Sequence, residues 1–299
     1  MKLVYSEKYH IDIGAHVFPT RKYQLIKHRL IDEHFASEDD FFEPHPARDS
    51  DVLLAHTREY IKKLKEGALT PQEESDLEIP YSEEAVESSW ICAGGTIEAC
   101  RNALEFGVGV HVGGGFHHAY PDHGEGFCVL NDMAIGIKKM QREKLIKKAA
   151  VIDCDLHQGN GTAAIFNKSK SVFTFSIHQE ANYPVPKEES SLDIGLPDAV
   201  EDGEYLEHLQ KAVPDILDGF KPQLVVYLAG ADPFEFDQLG GLSLTINGLK
   251  TRDQYVLSEC RARNIPVATV FGGGYAYNVE DTVTIHVNTI KAAMKLIRK

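Results

Sequence analysis

The chain has 299 residues, of which 43% are hydrophobic and 25% are charged, and its formal net charge is −14. This composition is typical of a globular protein with enough chain to bury a core, and the negative charge argues against nucleic acid as a partner. No composition shift marks a boundary, so we expect a single domain over residues 1–299.

Three further features indicate a protein of the cytoplasm. The five cysteines are scattered and include no CxxC pair, which is typical of reduced thiols. Residues 1–6 lack the apolar core of a signal peptide. The longest apolar runs, such as 224–229, are far shorter than the ~18 residues that span a membrane. We therefore expect a cytoplasmic protein that does not span a membrane.

The first third of the chain is predicted to be mainly helical. A short strand and three helices are expected, over residues 2–5, 20–35, 50–65 and 82–106. The acidic, proline-containing segments 37–46 and 70–80 are predicted to be loops. The second of them is short of apolar residues and is expected to be mobile.

From residue 107 onward, apolar strands alternate with helices. The strands are predicted over residues 107–112, 149–152, 171–177, 224–229 and 266–271. The helices are predicted over residues 131–148, 162–167, 203–220, 247–263 and 281–298, with a break or kink expected at Pro214. Continuous apolar strands separated by helices indicate an α/β fold whose parallel sheet is covered on both faces.

Four of these strands end in loops that carry unusual groups. The loops are GGGFHH at 113–118, DCDLH at 153–157, GAD at 230–232 and GGGY at 272–275. Open parallel sheets bind their ligands at the edge where the strands end. The four loops are therefore expected to form one common site.

Asp153, Asp155 and His157 alternate at the end of one strand. Alternate side chains of an extended backbone point to one face, so these three are expected to converge. Two carboxylates and an imidazole are costly to bury together unless a cation or hydrogen-bond donors balance them. The pattern predicts a divalent metal site, and a helix N-cap or turn cluster stays the alternative.

The four loops together predict a catalytic metal centre. Asp155, His157 and Asp232 would leave coordination positions open for water and substrate, as a catalytic zinc requires. A histidine pair would transfer protons, and a tyrosine hydroxyl would donate to a developing oxyanion. These groups would be His117, His118 and Tyr275.

The chain resembles the histone deacetylase family, with its acetoin-utilisation and acetylpolyamine amidohydrolase relatives. The matching segments are GGGFHHAYPDHGEGFCVLND (113–132), VIDCDLHQGNGTAAIF (151–166), LAGADPFEFDQLGGLSL (228–244) and FGGGYAYN (271–278). The resemblance implies a single-domain arginase/deacetylase fold with a parallel sheet of about eight strands between helices. The Asn182-Tyr183-Pro184 segment, the LGGLS segment and the compact length favour the class IV branch and its bacterial counterparts.

The resemblance also implies the roles of the site residues. Zn²⁺ would be held by Asp155, His157 and Asp232. Fe²⁺ is an alternative because this ligand set is hard and contains no cysteine. Asp153 would orient His117, and Asn160 would orient His118. An amide adds no negative charge, so His118 is expected to be less readily protonated and to suit a general base. The division of roles within the pair stays open.

The implied substrate is an N-ε-acyl-lysine, whose amide would be hydrolysed by metal-activated water. The resemblance gives it a narrow tunnel whose walls include Gly126, Phe127 and Tyr183. At the gate, Leu239 stands where the polyamine-selective branch carries glutamate. An apolar gate does not attract a polycation, so we expect acyl-lysine in peptides or proteins, with acetyl as the default.

The resemblance further implies potassium sites. The backbone of Asp153, Asp155 and His157, with Ser176 and Ile177, matches one site beside the metal. Part of a second site is matched by Phe166, Ser169 and Val172.

Three other functions stay open at this point. They are a deacylase of small acylated amines such as acetylpolyamines, an arginase-like binuclear hydrolase, and a non-catalytic acyl-lysine binder. The binuclear enzyme would need more Asp and His at the strand ends than we find. The intact His117, His118 and Tyr275 favour catalysis over binding alone. No sequence feature indicates the oligomeric state.

Overall fold

The computed structural model describes residues 2–296. In that part of the chain there are eight strands: β1 (Leu3–Val4), β2 (Phe41–Phe42), β3 (Val108–Val110), β4 (Ala149–Asp153), β5 (Val172–Gln179), β6 (Leu192–Leu196), β7 (Leu224–Leu228) and β8 (Val267–Val270). The α-helices are α1 (Lys22–Asp32), α2 (Asp49–Val52), α3 (Arg58–Glu66), α4 (Pro71–Leu77), α5 (Glu83–Phe106), α6 (Asp132–Arg142), α7 (Asn160–Ile165), α8 (Asp202–Phe220), α9 (Ile246–Ala262) and α10 (Val279–Met294).

The strands form one parallel arrangement. Six of them make a sheet in the order β3-β8-β7-β4-β5-β6, and β1 and β2 pair with each other. Just beyond β3, Val4 forms a parallel bridge with His111, and the Val112 N–H donates to the Val4 carbonyl at 2.8 Å. This contact places the small sheet beside the large one. The predicted α/β fold, with a parallel sheet between helices, is confirmed, but the main sheet has six strands rather than about eight, because β1 and β2 form a separate pair.

The central strands are buried on both faces, as their unbroken apolar sequence predicts. Ile152 of β4 and Val225 of β7 belong to one core, together with apolar residues of α8, α9 and α10. Val151 and Val226, the residues adjacent to them in each strand, belong to a second core with α5 and α6. Full burial of a side chain of this size contributes roughly 1.5–3 kcal/mol. The two cores hold the strand ends at a fixed spacing.

The prediction of a mobile loop over residues 70–80 is wrong, because α4 forms there. Thr70 Oγ1 accepts the Glu73 N–H at 3.2 Å, and the Glu73 carboxylate accepts the Thr70 N–H at 2.8 Å, which completes a capping box. Pro71 occupies the first helical turn, where its missing N–H costs nothing. Leu77 is the one buried residue of this helix, so its sequence shows no apolar periodicity. The acidic, apolar-poor sequence was therefore interpreted as a loop.

Other boundaries also differ from the predictions. The helix expected over 50–65 is divided into α2 and α3, because Thr57 caps a new helix by accepting the Tyr60 N–H. Strands β2 and β6 were not predicted, since one has two residues and the other is largely exposed. Helix α8 runs through Pro214 without a break.

The C-terminal ends of two helices in the second half of the chain also differ from the predictions. Helix α6 ends at Arg142 rather than at residue 148. The last helix ends at Met294, and residues 297–298, where its end was predicted, lie outside the described part of the chain. None of the helices within residues 2–296 is long and apolar enough to cross a membrane.

Candidate active site

Three potential metal ligands meet where two neighbouring strands end. Asp155 and His157 follow β4, and Asp232 follows β7, its partner in the sheet. One ligand atom of each lies within 4.8 Å of the others, and all three residues are buried. His157 Nδ1 is 3.3 Å from Asp155 Oδ1 and 3.2 Å from Asp232 Oδ2. The α/β topology thus assembles this group from residues that are far apart in sequence.

The electrostatics of this group suit a divalent cation. Burial, and then the charge of Asp155, raise the pKa of Asp232 to about 6. Burial opposes a charge on His157, but hydrogen bonds to both carboxylates raise its pKa to about 10. The two carboxylates therefore require a positive partner between them, and an N,O,O donor set is a common ligand set for divalent metals.

Backbone groups hold the outer faces of both carboxylates. The Gly273 N–H donates to Asp155 Oδ2 at 2.7 Å, and the Leu156 N–H donates to Asp232 Oδ1 at 2.9 Å. A Cβ added to Gly273 would lie 1.8 Å from Asp232 Oδ2. The glycine run after β8 is therefore needed so that the backbone can approach both ligands. Contacts of this kind orient metal ligands from behind.

The predicted histidine pair lies beside the metal group, with 4.0 Å between the ring centroids. His117 Nδ1 is 2.8 Å from Asp153 Oδ2, and His118 Nδ1 is 2.6 Å from Asn160 Oδ1. Burial opposes protonation of His117, but the charges of Asp153 and Asp155 raise its pKa to about 9. Burial, and then the charges of His117 and His157, hold the pKa of His118 well below its usual range. The two rings thus have different protonation preferences.

Tyr275 is placed by a residue that the sequence pattern did not indicate. The Tyr275 N–H donates to Asp237 Oδ2 at 2.7 Å, and the other Asp237 oxygen accepts the Leu239 N–H at 2.9 Å. The Tyr275 ring is 6.5 Å from the His157 ring and is buried. Asp237 acts on the backbone of its neighbours, and such contacts leave no periodic signal in the sequence.

A cavity of about 300 Å³ opens onto the metal group. Its lining includes three residues of the predicted site, His118, His157 and Tyr275. The residues that the resemblance implied for the tunnel and its gate also line it: Gly126, Phe127, Tyr183 and Leu239. The cavity therefore brings two aromatic side chains, Phe127 and Tyr183, into one lining with the potential metal ligand His157.

Four further residues line the cavity and were not among the predicted site residues, namely His16, Val17, Glu78 and Asn182. Glu78 follows α4 with a left-handed φ of 59°, and its carbonyl lies 3.0 Å from His16 Nε2. The His16 ring meets the edge of Phe127 at 4.9 Å. The region around residues 70–80, predicted as a mobile loop, therefore contributes to the cavity wall.

Two buried cations lie behind the acidic group. Lys22 Nζ donates to the Gly272 carbonyl at 2.7 Å, and burial lowers the pKa of Lys22 to about 8. Arg252 donates to the carbonyls of Cys154 and Gly230 at 3.0 and 2.8 Å. Both side chains bind carbonyl groups of the loops that carry the metal ligands. The sequence pattern did not indicate either, because each lies far from these loops along the chain.

The positions implied for potassium are brought together in part. Asp153 and Ser176 are register partners in β4 and β5, and Ile177 is buried next to them. The second set lies around the end of α7 and the start of β5: Phe166, Ser169 and Val172. Potassium at either place stays a prediction.

Comparison with known proteins gives the family. The histone deacetylase domain family matches residues 16–290. An uncharacterized protein of Picosynechococcus sp. is 40% identical over 271 residues, covering 91% of this chain and 90% of its own length. Histone deacetylase 2 of Arabidopsis thaliana is 28% identical over 288 residues, covering 92% and 74%. The crystal structure of a histone deacetylase homologue from Aquifex aeolicus superposes with a TM-score of 0.81 at 25% identity, covering 99% and 83%.

The chain therefore belongs to the histone deacetylase family. The buried Asp155, His157 and Asp232 form the metal-binding group typical of that family.

Proposed function

We propose that this protein hydrolyses the amide bond of N-ε-acyl-lysine in proteins or peptides, with acetyl-lysine as the default substrate, and that residues 1–299 act as one catalytic domain. The observation that carries the proposal is that His157 of the buried metal group lines a cavity of about 300 Å³. His118 and Tyr275 line the same cavity. A buried reactive centre next to a cavity suits a substrate that presents its amide on a long side chain.

The proposed metal is Zn²⁺, held by Asp155, His157 and Asp232, with Fe²⁺ as the alternative. A zinc ion in such a site acts as a Lewis acid and lowers the pKa of water toward ~7. The chain keeps the ligands in place through Gly273 and Leu156, whose N–H groups bind the outer carboxylate oxygens.

The histidine pair is proposed to divide proton transfer between its two rings. The low pKa of His118 keeps its ring neutral, as a general base needs. Asp153 favours the protonated form of His117, whose raised pKa suits an acid that donates to the leaving lysine amine. His117 is therefore the proposed acid, and His118 is the proposed base.

Tyr275 is proposed to donate its hydroxyl to the substrate carbonyl oxygen as negative charge develops there. Burial, and then the nearby carboxylates Asp232 and Asp155, raise the pKa of Tyr275 well above its ordinary value. The hydroxyl therefore stays protonated and available as a donor. A fixed donor of this kind contributes about 10²–10³ in rate.

The cavity wall supports an acyl-lysine substrate. Phe127 and Tyr183 offer aromatic surfaces to the methylene chain, and the Phe127 ring is supported by Phe18, stacked at 5.9 Å. Leu239 adds an apolar contact. Class IV is the branch we propose, on the Asn182-Tyr183-Pro184 and LGGLS segments.

One observation favours a second candidate, the deacylation of small acylated amines. Glu78 lines the cavity, and a carboxylate there would attract a cationic amine. The same carboxylate could accept hydrogen bonds from the backbone of a peptide substrate. Among residues 2–296 there is one metal-ligand group of this kind, which gives no support to the binuclear alternative.

One panel of substrates tests these proposals together. Acetyl-, lactyl-, butyryl- and longer acyl-lysine peptides and acetylputrescine would be assayed with metal analysis of the same preparation. We expect turnover of an acyl-lysine peptide with one Zn²⁺ or Fe²⁺ per chain. Turnover of acetylputrescine alone would favour the second candidate, and two Mn²⁺ per chain would contradict both deacylase proposals.

A further inference from the structure

Glu125 connects the partner of His118 to the wall of the cavity. Its Oε1 accepts a 2.7 Å hydrogen bond from Asn160 Nδ2 and another from the Tyr183 hydroxyl. Asn160 in turn faces His118, with 2.6 Å between Asn160 Oδ1 and His118 Nδ1. A continuous chain of hydrogen bonds therefore runs from His118, through a buried amide, to a carboxylate outside the metal group.

The position of Glu125 is fixed by a tight turn. Glu125 and Cys128 exchange backbone hydrogen bonds of 3.1 and 2.9 Å. The residues between them, Gly126 and Phe127, have φ of 51° and 69°, as in a type I′ turn. The Gly126 N–H donates to the Asp76 carbonyl at 3.0 Å, which ties the turn to α4. The carboxylate is therefore presented to Asn160 from a defined backbone.

The contact with Glu125 decides which way the Asn160 amide points. An ionised carboxylate only accepts hydrogen bonds, so the amino group of Asn160 must face Glu125. The amide oxygen then faces His118 Nδ1, and this nitrogen must carry the proton that the oxygen accepts. In the neutral ring the lone pair is then on Nε2. A flipped amide would present its amino group to Nδ1 and favour the opposite tautomer.

We propose that Glu125 is a positioning residue for the reaction: it fixes the amide orientation of Asn160, and through it the tautomer of His118, and it holds Tyr183 in the cavity wall. The inference rests on the proposed function, in which His118 is the base. Burial supports the link, since the side chain of Glu125 is 22% exposed and Asn160 is 1% exposed. Water competes weakly for hydrogen bonds in such a place.

The second bond extends the effect of Glu125 to the substrate. The Tyr183 ring meets the His118 ring nearly edge-on, with 4.9 Å between the centroids and 79° between the planes. Tyr183 also lines the cavity, so its position affects both the histidine and the bound chain. Removal of the Glu125 acceptor is therefore expected to change KM as well as kcat.

The test compares Glu125→Leu with Glu125→Gln in the zinc-loaded protein. Gln keeps an oxygen that accepts from both Asn160 and Tyr183, whereas Leu removes the acceptor at similar volume. The His118 tautomer is measured by ¹⁵N NMR with labelled histidine, assigned by comparison with His118→Gln. Steady-state kinetics on an acyl-lysine peptide and bound zinc are measured on the same samples.

We expect the Nδ1-protonated tautomer in the wild type and in Glu125→Gln, with similar kcat. In Glu125→Leu we expect the Nε2-protonated form of His118 to appear, with unchanged zinc content. We expect kcat to fall by about 10–100-fold, which is part of the rate that a general base contributes. A wild-type tautomer and wild-type kcat in Glu125→Leu would overturn the proposal, as would equal losses in both variants. If no acyl-lysine peptide is turned over, the proposed function fails, and the NMR result still decides the role of Glu125.

A second pair of variants tests the same proposal in case Glu125→Leu does not fold. Asn160→Asp would place a carboxylate oxygen where the amide now donates to Glu125 at 2.7 Å, so two carboxylates would face each other. We expect Asn160→Asp to lose activity and Asn160→Asp combined with Glu125→Gln to recover most of it. Full activity of Asn160→Asp alone, or no recovery in the double variant, would show that the two residues are not coupled.

Discussion

The backbone N–H of Tyr275 donates a 2.7 Å hydrogen bond to Asp237, so a carboxylate outside the metal group holds the proposed oxyanion donor. The second oxygen of Asp237 accepts the N–H of Leu239, the proposed gate residue, at 2.9 Å. Burial, and then the charge of Asp232, raise the pKa of Asp237 to about 7. One side chain therefore connects the loop after β7 with the loop after β8, and it does so close to the metal group.

Asp237→Ala is predicted to impair both catalysis and stability. The buried Tyr275 N–H and the part-buried Leu239 N–H would lose their acceptor. A buried group left unsatisfied costs about 1–3 kcal/mol. Tyr275 would lose its anchor, and a misplacement of this kind costs about 10²-fold in rate. Kinetics and urea unfolding check both effects. Asp237→Asn keeps one acceptor oxygen and should be intermediate, and a wild-type kcat in Asp237→Ala would contradict the anchoring role.

Tyr275→Phe separates the hydroxyl from the position of the ring. The backbone bond to Asp237 stays, so metal content and unfolding free energy should match the wild type. The rate constant kcat should fall by about 10²–10³-fold, the usual cost of removing one oxyanion donor. A variant with undiminished kcat would show that the Tyr275 hydroxyl does not stabilise the transition state.

Gly273→Ala is predicted to disrupt metal binding without any change of charge. The added Cβ would lie 1.8 Å from Asp232 Oδ2, so either the ligand or the loop must move. Bound zinc per chain, measured after dialysis, should fall well below that of the wild type. Gly203→Ala is a matched control, because nothing lies within 4 Å of its Cβ. Equal zinc content in the two variants would contradict the proposed close fit.

Lowering the pH is predicted to destabilise the folded protein, because His56, a buried histidine outside the metal group, is held neutral there. Its Nδ1 lies 2.9 Å from the Tyr120 carbonyl and its Nε2 accepts the Asn131 N–H at 3.0 Å, so the ring must be neutral. Burial lowers the pKa of His56 to about 4. Between the ordinary value of ~6.5 and about 4, only the unfolded state binds the proton, so stability falls as the pH falls.

The measurement is the free energy of unfolding at pH 7 and pH 5 for the wild type and His56→Gln. The loss on acidification should be larger in the wild type by about 2 kcal/mol, from ~1.4 kcal/mol per pH unit below the ordinary pKa. Other titrating groups act on both proteins and cancel in the difference. The same loss in both proteins would mean that His56 is not the group responsible.

The parts of the site that follow strands could be predicted from the sequence. Asp155, His157 and Asp232 were expected to meet because an apolar strand precedes each loop, and β4 and β7 are neighbours. The parallel sheet followed from the same alternation of apolar runs and helices. Sequence patterns are informative here because burial on both faces imposes a continuous apolar stretch.

The supports of the site could not be predicted in the same way. Asp237 and Lys22 bind backbone groups of distant loops, and no spacing rule relates a side chain to a carbonyl or N–H that folding brings to it. Helix α4 was missed because its capping box stabilises a segment with one buried residue. The positions of Glu78 and Glu125 depend on the contact between the turn at Gly126 and the end of α4. The sequence did not predict this contact, so it did not indicate either residue.

The central claim is that Asp155, His157 and Asp232 hold a metal on which acyl-lysine hydrolysis depends. The most direct measurement is metal content together with acetyl-lysine peptide turnover, for the wild type and for Asp155→Ala purified in parallel. The wild type should carry one zinc or iron ion per chain and release the acyl group, and Asp155→Ala should lose both the metal and the activity. An Asp155→Ala protein that keeps its metal and hydrolyses the peptide at the wild-type rate would contradict the claim.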